Sequence, residues 1–301
     1  MTPITHTSKS LISTIDFFYP LVEDPFIQGR IACCNVLSDL YAMGVTKVDT
    51  ILMVLAISLK MTELEREVVT SLMFEGFEDA AKEAETTVSG GQSIMNPWPI
   101  IGGAAFSSVD ASEYIKPNQA KIGDLIVLTK PLGSQIAVNV YQYYRLQNEK
   151  WNFVKDLTNG QEIEKAYDAA AKHMSTLNRK AALLMRKYGA HGATDITGFG
   201  IMGHAKYLAQ AQIENVDFVL HTLPVIKGLY KLDKTKARNF KFGEGYSAET
   251  SGGLLICLEK EKVDDFLEEF RSFGEDAYIV GEVVRGNRDV MFDKDLKVKE
   301  I

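Results

Sequence analysis

The sequence predicts an α/β and α+β protein of two domains, with mixed sheets and helices packed on them. Three observations point there. Strands and helices interleave in both halves without the strict strand–helix–strand alternation of one doubly wound sheet. A loop-like stretch over 111–123, with Lys116-Pro117-Asn118 and Lys121-Ile122-Gly123-Asp124, divides the chain into domains at 1–115 and 120–301. The 301 residues, 46% hydrophobic and 24% charged, suffice for two cores of ordinary soluble composition.

Residues 9–18 read as a strand, and Asp24-Pro25 as the turn that opens a helix from Ile27 to Met43, closed by Gly44. Ile27, Ile31, Cys34 and Leu40 recur there at helical spacing. The apolar run 50–59 predicts a buried strand. Thr62-Glu63-Leu64-Glu65 is a capping box, which starts a helix to about Glu85 that buries Leu64, Val68, Leu72 and Phe77. A short strand at 87–89 leads into a Gly90-Gly91-Gln92-Ser93 turn, followed by a strand over 100–109.

In the second half the sequence predicts a strand at 125–129, a helix from Gln135, and one long helix over 163–188. A loop holding Asp195 follows, then a helix at 201–212 and a strand at 216–221. A strand at 253–258, a helix at 259–273 and strands near 277–284 and 290–298 complete the chain.

Charge and composition exclude several classes. A net charge of −7 argues against a nucleic-acid-binding surface. The longest apolar run, Ile51 to Leu59, is too short to span a membrane. Three cysteines, two of them adjacent, make no disulfide framework, and the N-terminus shows no basic-then-apolar leader. A cytoplasmic protein is expected.

The chemistry concentrates on three aspartates. Asp16 follows Ser13-Thr14-Ile15. Asp39 lies in Gly29-Arg30-Ile31-Ala32-Cys33-Cys34-Asn35-Val36-Leu37-Ser38-Asp39, four residues after Asn35 and so on the same helical face. Asp195 opens Asp195-Ile196-Thr197-Gly198-Phe199-Gly200-Ile201-Met202-Gly203-His204. Carboxylates beside glycines suit a hard cation and a polyphosphate, so the three outline a Mg-nucleotide site. Two carboxylates about 4 Å apart repel by roughly 4 kcal/mol at an effective dielectric near 20, which a cation relieves. The plainer alternative makes Asp39 and Asp195 separate helix-end caps.

Gly198–Gly203 matches G-x-G-x-x-G in form, but no apolar strand is expected before it, which disfavours a dinucleotide fold. No lysine-bearing phosphate loop occurs. Gly90-Gly91 is a tight turn or a place where backbone amides meet a ligand. The histidines show no metal-ligand spacing, and Cys33 and Cys34 point about 100° apart on a helix and are taken as structural.

Together with Leu128-Thr129-Lys130-Pro131-Leu132-Gly133, Asn96-Pro97-Trp98 and Glu249-Thr250-Ser251-Gly252-Gly253-Leu254-Leu255, these stretches resemble selenophosphate synthetase (selenide, water dikinase). That family is part of the aminoimidazole-ribonucleotide-synthetase-like superfamily. The resemblance implies an N-terminal α/β domain that binds ATP and Mg2+, a C-terminal α+β domain, and a homodimer joined through N-terminal sheets. It implies ATP and metal contacts for Asp16 and Asp39, a Mg2+ ligand in Asp195, and nucleotide contacts for Gly90, Gly91, Gln92 and Ser93. The implied reaction converts ATP, selenide and water to selenophosphate, AMP and phosphate. The family's Cys or selenocysteine and its lysine are expected upstream of Met1, so no catalytic residue is assigned within this chain. Three readings of that start stay open: a start displaced by a selenocysteine codon, a short nucleotide-binding regulatory or dimerisation isoform, and a superfamily relative with another substrate.

Overall fold

A computed structural model describes all residues, Met1–Ile301. They form two compact units. One comprises Met1–Ile115 and Ser175–Arg186, the other Lys116–Met174 and Lys187–Ile301.

The first unit is built on β1 (Thr2–Pro3), β2 (Ser10–Phe18), β3 (Thr50–Ser58), β4 (Val88–Asn96) and β5 (Ile100–Val109), in the sheet order β1-β2-β5-β3-β4. β5 pairs antiparallel with β2 and β3, and β4 lies parallel to β3 at the edge. Two helices, α1 (Pro25–Ala42) and α2 (Glu63–Glu83), pack together, and α1 packs on β2 and β5. The Asp24 carboxylate starts α1 by accepting from the amides of Phe26 at 2.8 Å and Ile27 at 3.2 Å, with Pro25 free of any amide to satisfy. The Thr62/Glu65 capping box that starts α2 is present as the sequence predicts.

The two helices cross with backbone against backbone. A methyl on Gly29 would fall 2.1 Å from the Met73 carbonyl oxygen, and one on Gly76 would fall 1.8 Å from that of Phe26. The crossing also corrects one expectation. Of the predicted buried face of α2, Phe77 is buried, whereas Leu64 and Val68 are 69% and 49% exposed. Burial runs from Met73 through Gly76, Phe77, Ala80 and Ala81, because α1 covers only the C-terminal half of the helix.

The second unit holds β6 (Leu125–Leu128), β7 (Gly192–Asp195), β8 (Val216–Val225), β9 (Leu254–Leu258), β10 (Tyr278–Arg285) and β11 (Val290–Glu300). Their order is β11-β8-β10-β6-β9-β7, antiparallel except for β8 with β11. Its helices are α3 (Ser134–Leu146), α4 (Gly160–Met174), α6 (Gly200–Gln210) and α7 (Lys260–Ser272).

The single long helix expected over 163–188 is two. α4 stops at Met174 and α5 (Arg179–Tyr188) begins after Ser175-Thr176-Leu177-Asn178, the bulk of it in the first unit. Short polar side chains offer the backbone alternatives to the helical ladder. Here the Asn178 amide reaches Ser38 Oγ on α1 at 3.0 Å.

Candidate functional site

Strand alternation on β2 decides where Asp16 points. Ile12 is buried, Thr14 and Asp16 are half-buried on the same side, and Ser13, Ile15 and Phe17 are exposed on the other. Asp16 therefore shares the face of Ile12. Asp39 sits in the last turn of α1, where Thr14 Oγ1 donates to its Oδ2 at 2.6 Å. Sequence spacing missed Thr14, whose partner is 25 residues away.

Asp39 is no cap: it lies inside the helix, near the end where the backbone dipole disfavours a negative charge, and the last turn carries no basic residue. Asp16 feels the same crowding. Burial, and then the Asp39 charge, push its carboxyl up to about 6. Two crowded carboxylates and a hydroxyl are oxygen donors that fit a hard divalent cation. No group of three or more His, Cys, Asp or Glu side chains forms a metal cage. The carboxylate pair would thus supply part of a coordination shell, as for magnesium completed by phosphate oxygens and water.

Gly90, Gly91, Gln92 and Ser93 do not form the expected turn. They lie inside β4, which is exposed along most of its length. The register steps between Ile51 and Leu52, and a methyl on Gly91, at φ +152°, would fall 1.8 Å from the Met53 carbonyl oxygen. Glycines in a strand commonly mark such a bulge or close approach, which locally looks like a turn in sequence. Asp16, Gly103, Met53 and Gly91 are successive cross-strand partners, so Asp16 and Gly91 share one row and one face. Three strand spacings, roughly 14 Å, separate them. The structure brings Asp16 and Asp39 together and leaves Gly90–Ser93 at the far edge of the same sheet.

In the second unit, Asp195 ends β7 and is buried. A strand thus does precede Gly198–Gly203, contrary to expectation. It is four residues long, at the sheet edge and antiparallel to β9, so it forms no parallel dinucleotide-binding unit. Gly198, Phe199 and Gly203 line an open recess of about 570 Å³ whose rim carries Lys206 and Lys241, a local cationic patch on an acidic chain. His204 Nε2 lies 3.1 Å from Thr197 Oγ1 and accepts from the Phe199 amide at 3.4 Å.

Sequence reasoning gave no role to Glu249, which is 6% exposed. Its Oε1 accepts from the Gly133 amide at 2.7 Å and its Oε2 from the Ser134 amide at 2.9 Å and from the Ser134 hydroxyl, capping α3 from a distant loop. Burial pushes the Glu249 carboxyl from 4.5 up to about 7, against the downward pull of these donors. The folded value lies above the unfolded one, so the penalty is absent below pH 4.5 and complete above pH 7. We expect the unfolding free energy of the native chain, relative to Glu249→Gln, to fall by about 3 kcal/mol between pH 4.5 and 8. Denaturant titrations across that range measure it, and a constant difference contradicts it.

Cys33, Cys34 and Cys257 are buried, and burial raises the pKa of Cys33 and Cys257 far from the nucleophilic range. No helix is long and apolar enough to cross a membrane.

A five-stranded mixed sheet in one unit and a six-stranded mixed sheet in the other are the marks of a class. Residues 2–109 match the AIR synthase related protein N-terminal domain, and residues 121–294 match the C-terminal domain. Selenide, water dikinase 2 of Mus musculus is 53% identical over 291 residues, which cover 95% of this chain and 64% of that protein. Selenide, water dikinase of Trypanosoma brucei brucei is 47% identical over 297 residues, 97% of this chain and 76% of that protein. The chain belongs to the selenide, water dikinase family of AIR-synthase-related proteins, and it spans about two thirds of the mouse relative's length.

Thiamine-monophosphate kinase from Stenotrophomonas maltophilia K279a shares the fold at a TM-score of 0.72 and 19% identity, covering 97% of this chain and 87% of that one. Hydrogenase maturation protein HypE in complex with ATP shares it at 0.69 and 16% identity, covering 94% and 81%.

Proposed function

We propose that this chain is the nucleotide-binding body of an enzyme that makes selenophosphate, AMP and phosphate from ATP, selenide and water. The observation that carries the nucleotide part is the Asp16–Asp39 pair, two crowded carboxylates with Thr14 bonded to one of them. The selenide part is supported by the relatives' named activity at about half identity. Magnesium fits the donor set of the first unit, where Asp16 and Asp39 would hold it; Asp195, in the second unit, is separately a proposed metal ligand. Bound magnesium supplies charge neutralisation for the triphosphate.

The chain's own residues do the rest of this work. Thr14 fixes the Asp39 rotamer, and Gly90–Ser93 offer an exposed strand edge whose amides and carbonyls can meet a nucleotide. A cytoplasmic location accords with this chemistry.

The test is AMP formation by this protein in the presence and absence of selenide. Selenide-dependent AMP supports the proposal; AMP release indifferent to selenide refutes it. The chain should also bind Mg-ATP. At nucleotide about a hundredfold above Kd, binding should stabilise it by about 2.7 kcal/mol, read as a thermal shift.

A homodimer is part of this proposal. The face of the first sheet opposite α1 carries Ile15 at 64% and Phe17 at 59% exposure, flanked by Leu52 on β3 and Ile94 on β4. Cross-strand pairing aligns Ile15, Ala104, Leu52 and Gly90 in one row of that face. Contiguous apolar surface of this kind suits a second copy of the same sheet. Ile15→Asp should convert a dimer to a monomer in sedimentation velocity; a native chain already monomeric at tens of micromolar contradicts the proposal.

A further inference from the structure

Resting on the reading of Asp195 as a functional carboxylate, we propose that Glu249 is a positioning residue that holds the Asp195–Met202 loop through the irregular segment 245–253. The segment has no helix or strand of its own, yet it is gripped by two buried ionisable side chains. The Glu249 carboxyl is clamped on the first amides of α3 and on Ser134 Oγ. Two residues on, Lys130 Nζ donates to the Ser251 carbonyl at 2.9 Å, with Lys130 only 4% exposed.

The segment so fixed is the template for the Asp195 loop. The Glu249 amide donates to the Thr197 carbonyl at 3.0 Å, the Ile196 amide to that of Gly253 at 3.0 Å, and the Met202 amide to that of Gly245 at 3.0 Å. The fit leaves no slack. A methyl on Gly252 would fall 2.2 Å from the Ile196 carbonyl oxygen, and one on Gly200, at φ +67°, would fall 2.5 Å from that of Gly245. Asp195 is thus flanked by a backbone whose path is copied from the Glu249 segment.

Stability alone is a poor reason for this arrangement. Burying a carboxyl and an ammonium carries a desolvation penalty that apolar residues of similar size would avoid. What the two side chains provide through their hydrogen bonds is a fixed backbone path beside a carboxylate that must meet its ligand accurately.

The test uses the whole chain and reads amide hydrogen exchange. Glu249→Gln sets an amide NH2 against one of the backbone N–H donors it now accepts from. The Ile196 and Met202 amides should exchange at least tenfold faster, while amides of β8 and β10 change little. Equal acceleration everywhere, or none in the loop, overturns the proposal. Ser134→Ala removes one donor of three and keeps the test alive should the Gln form not fold: a smaller, loop-confined acceleration supports it, and an unchanged loop overturns it.

The functional arm compares ADP with Mg-ADP by calorimetry. Glu249→Gln should lose about tenfold in affinity for Mg-ADP and keep that for metal-free ADP; a loosened loop with unaltered Mg-ADP affinity overturns the positioning role. Asp195→Asn separates the two ideas. If it leaves Mg-ADP binding intact, the metal reading of the loop fails, whatever the exchange data say of Glu249.

Discussion

Gly76→Ala is expected to destabilise the first unit by about 3 kcal/mol or more, although the residue lies mid-helix. In an exposed helix the same change stabilises by up to about 1 kcal/mol, since glycine is the poorer helix former. Here the added methyl would meet the Phe26 carbonyl oxygen at 1.8 Å and its carbon at 2.7 Å, and these are backbone atoms that no rotamer change can move aside. Retreat of α1 is costly as well, because it would open the reciprocal close packing of Gly29 on the Met73 carbonyl. Overpacking usually costs about 1–3 kcal/mol when side chains can adjust, and this site lies at or beyond that range. Urea unfolding followed by far-ultraviolet circular dichroism reads the loss. A midpoint equal to or above the native one would show that the helices slide apart freely.

Asp39→Asn should have the opposite pair of effects. Metal-dependent nucleotide binding should weaken by roughly thirtyfold or more, the equivalent of losing about 2 kcal/mol of charge-assisted contact. The ligand-free fold should become more stable, for three reasons. The substitution removes a negative charge from the last turn of α1, relieves the repulsion felt by Asp16, and keeps an oxygen to accept from Thr14. Thermal melts with and without Mg-ADP measure both effects at once. A drop in ligand-free melting temperature would make Asp39 a structural residue after all. An undiminished Mg-ADP shift would remove it from the site.

The parts of this fold legible in sequence were those set by neighbours along the chain. Thr62 and Glu65 announce the start of α2 because both partners of the capping box lie within one turn. Asp24-Pro25 does the same for α1. What failed depended on partners far away. Leu64 and Val68 have helical spacing, but only α1 determines that the cover begins at Met73. Gly90-Gly91 resembles a turn, since nothing local reveals the Met53 carbonyl that demands a glycine inside a strand.

The site divides in the same way. Asn35 and Asp39 share a face by spacing alone, whereas the approach of Asp16 and Thr14 needs a strand-to-helix packing that no short-range pattern encodes. Glu249 was invisible as a participant because its donors, Gly133 and Ser134, lie more than a hundred residues away.

The inclusion of Ser175–Arg186 in the first unit bears on how the polypeptide matures on the ribosome. Domains usually close in the order in which they leave the exit tunnel. This one cannot, because Asn178 bonds to Ser38 and Arg179 reaches Glu85 and the Thr46 carbonyl. Nascent chains shorter than about this segment must wait with an unfinished surface, a natural stage for chaperone capture. A fragment ending at Ile115 would remain in that waiting state permanently.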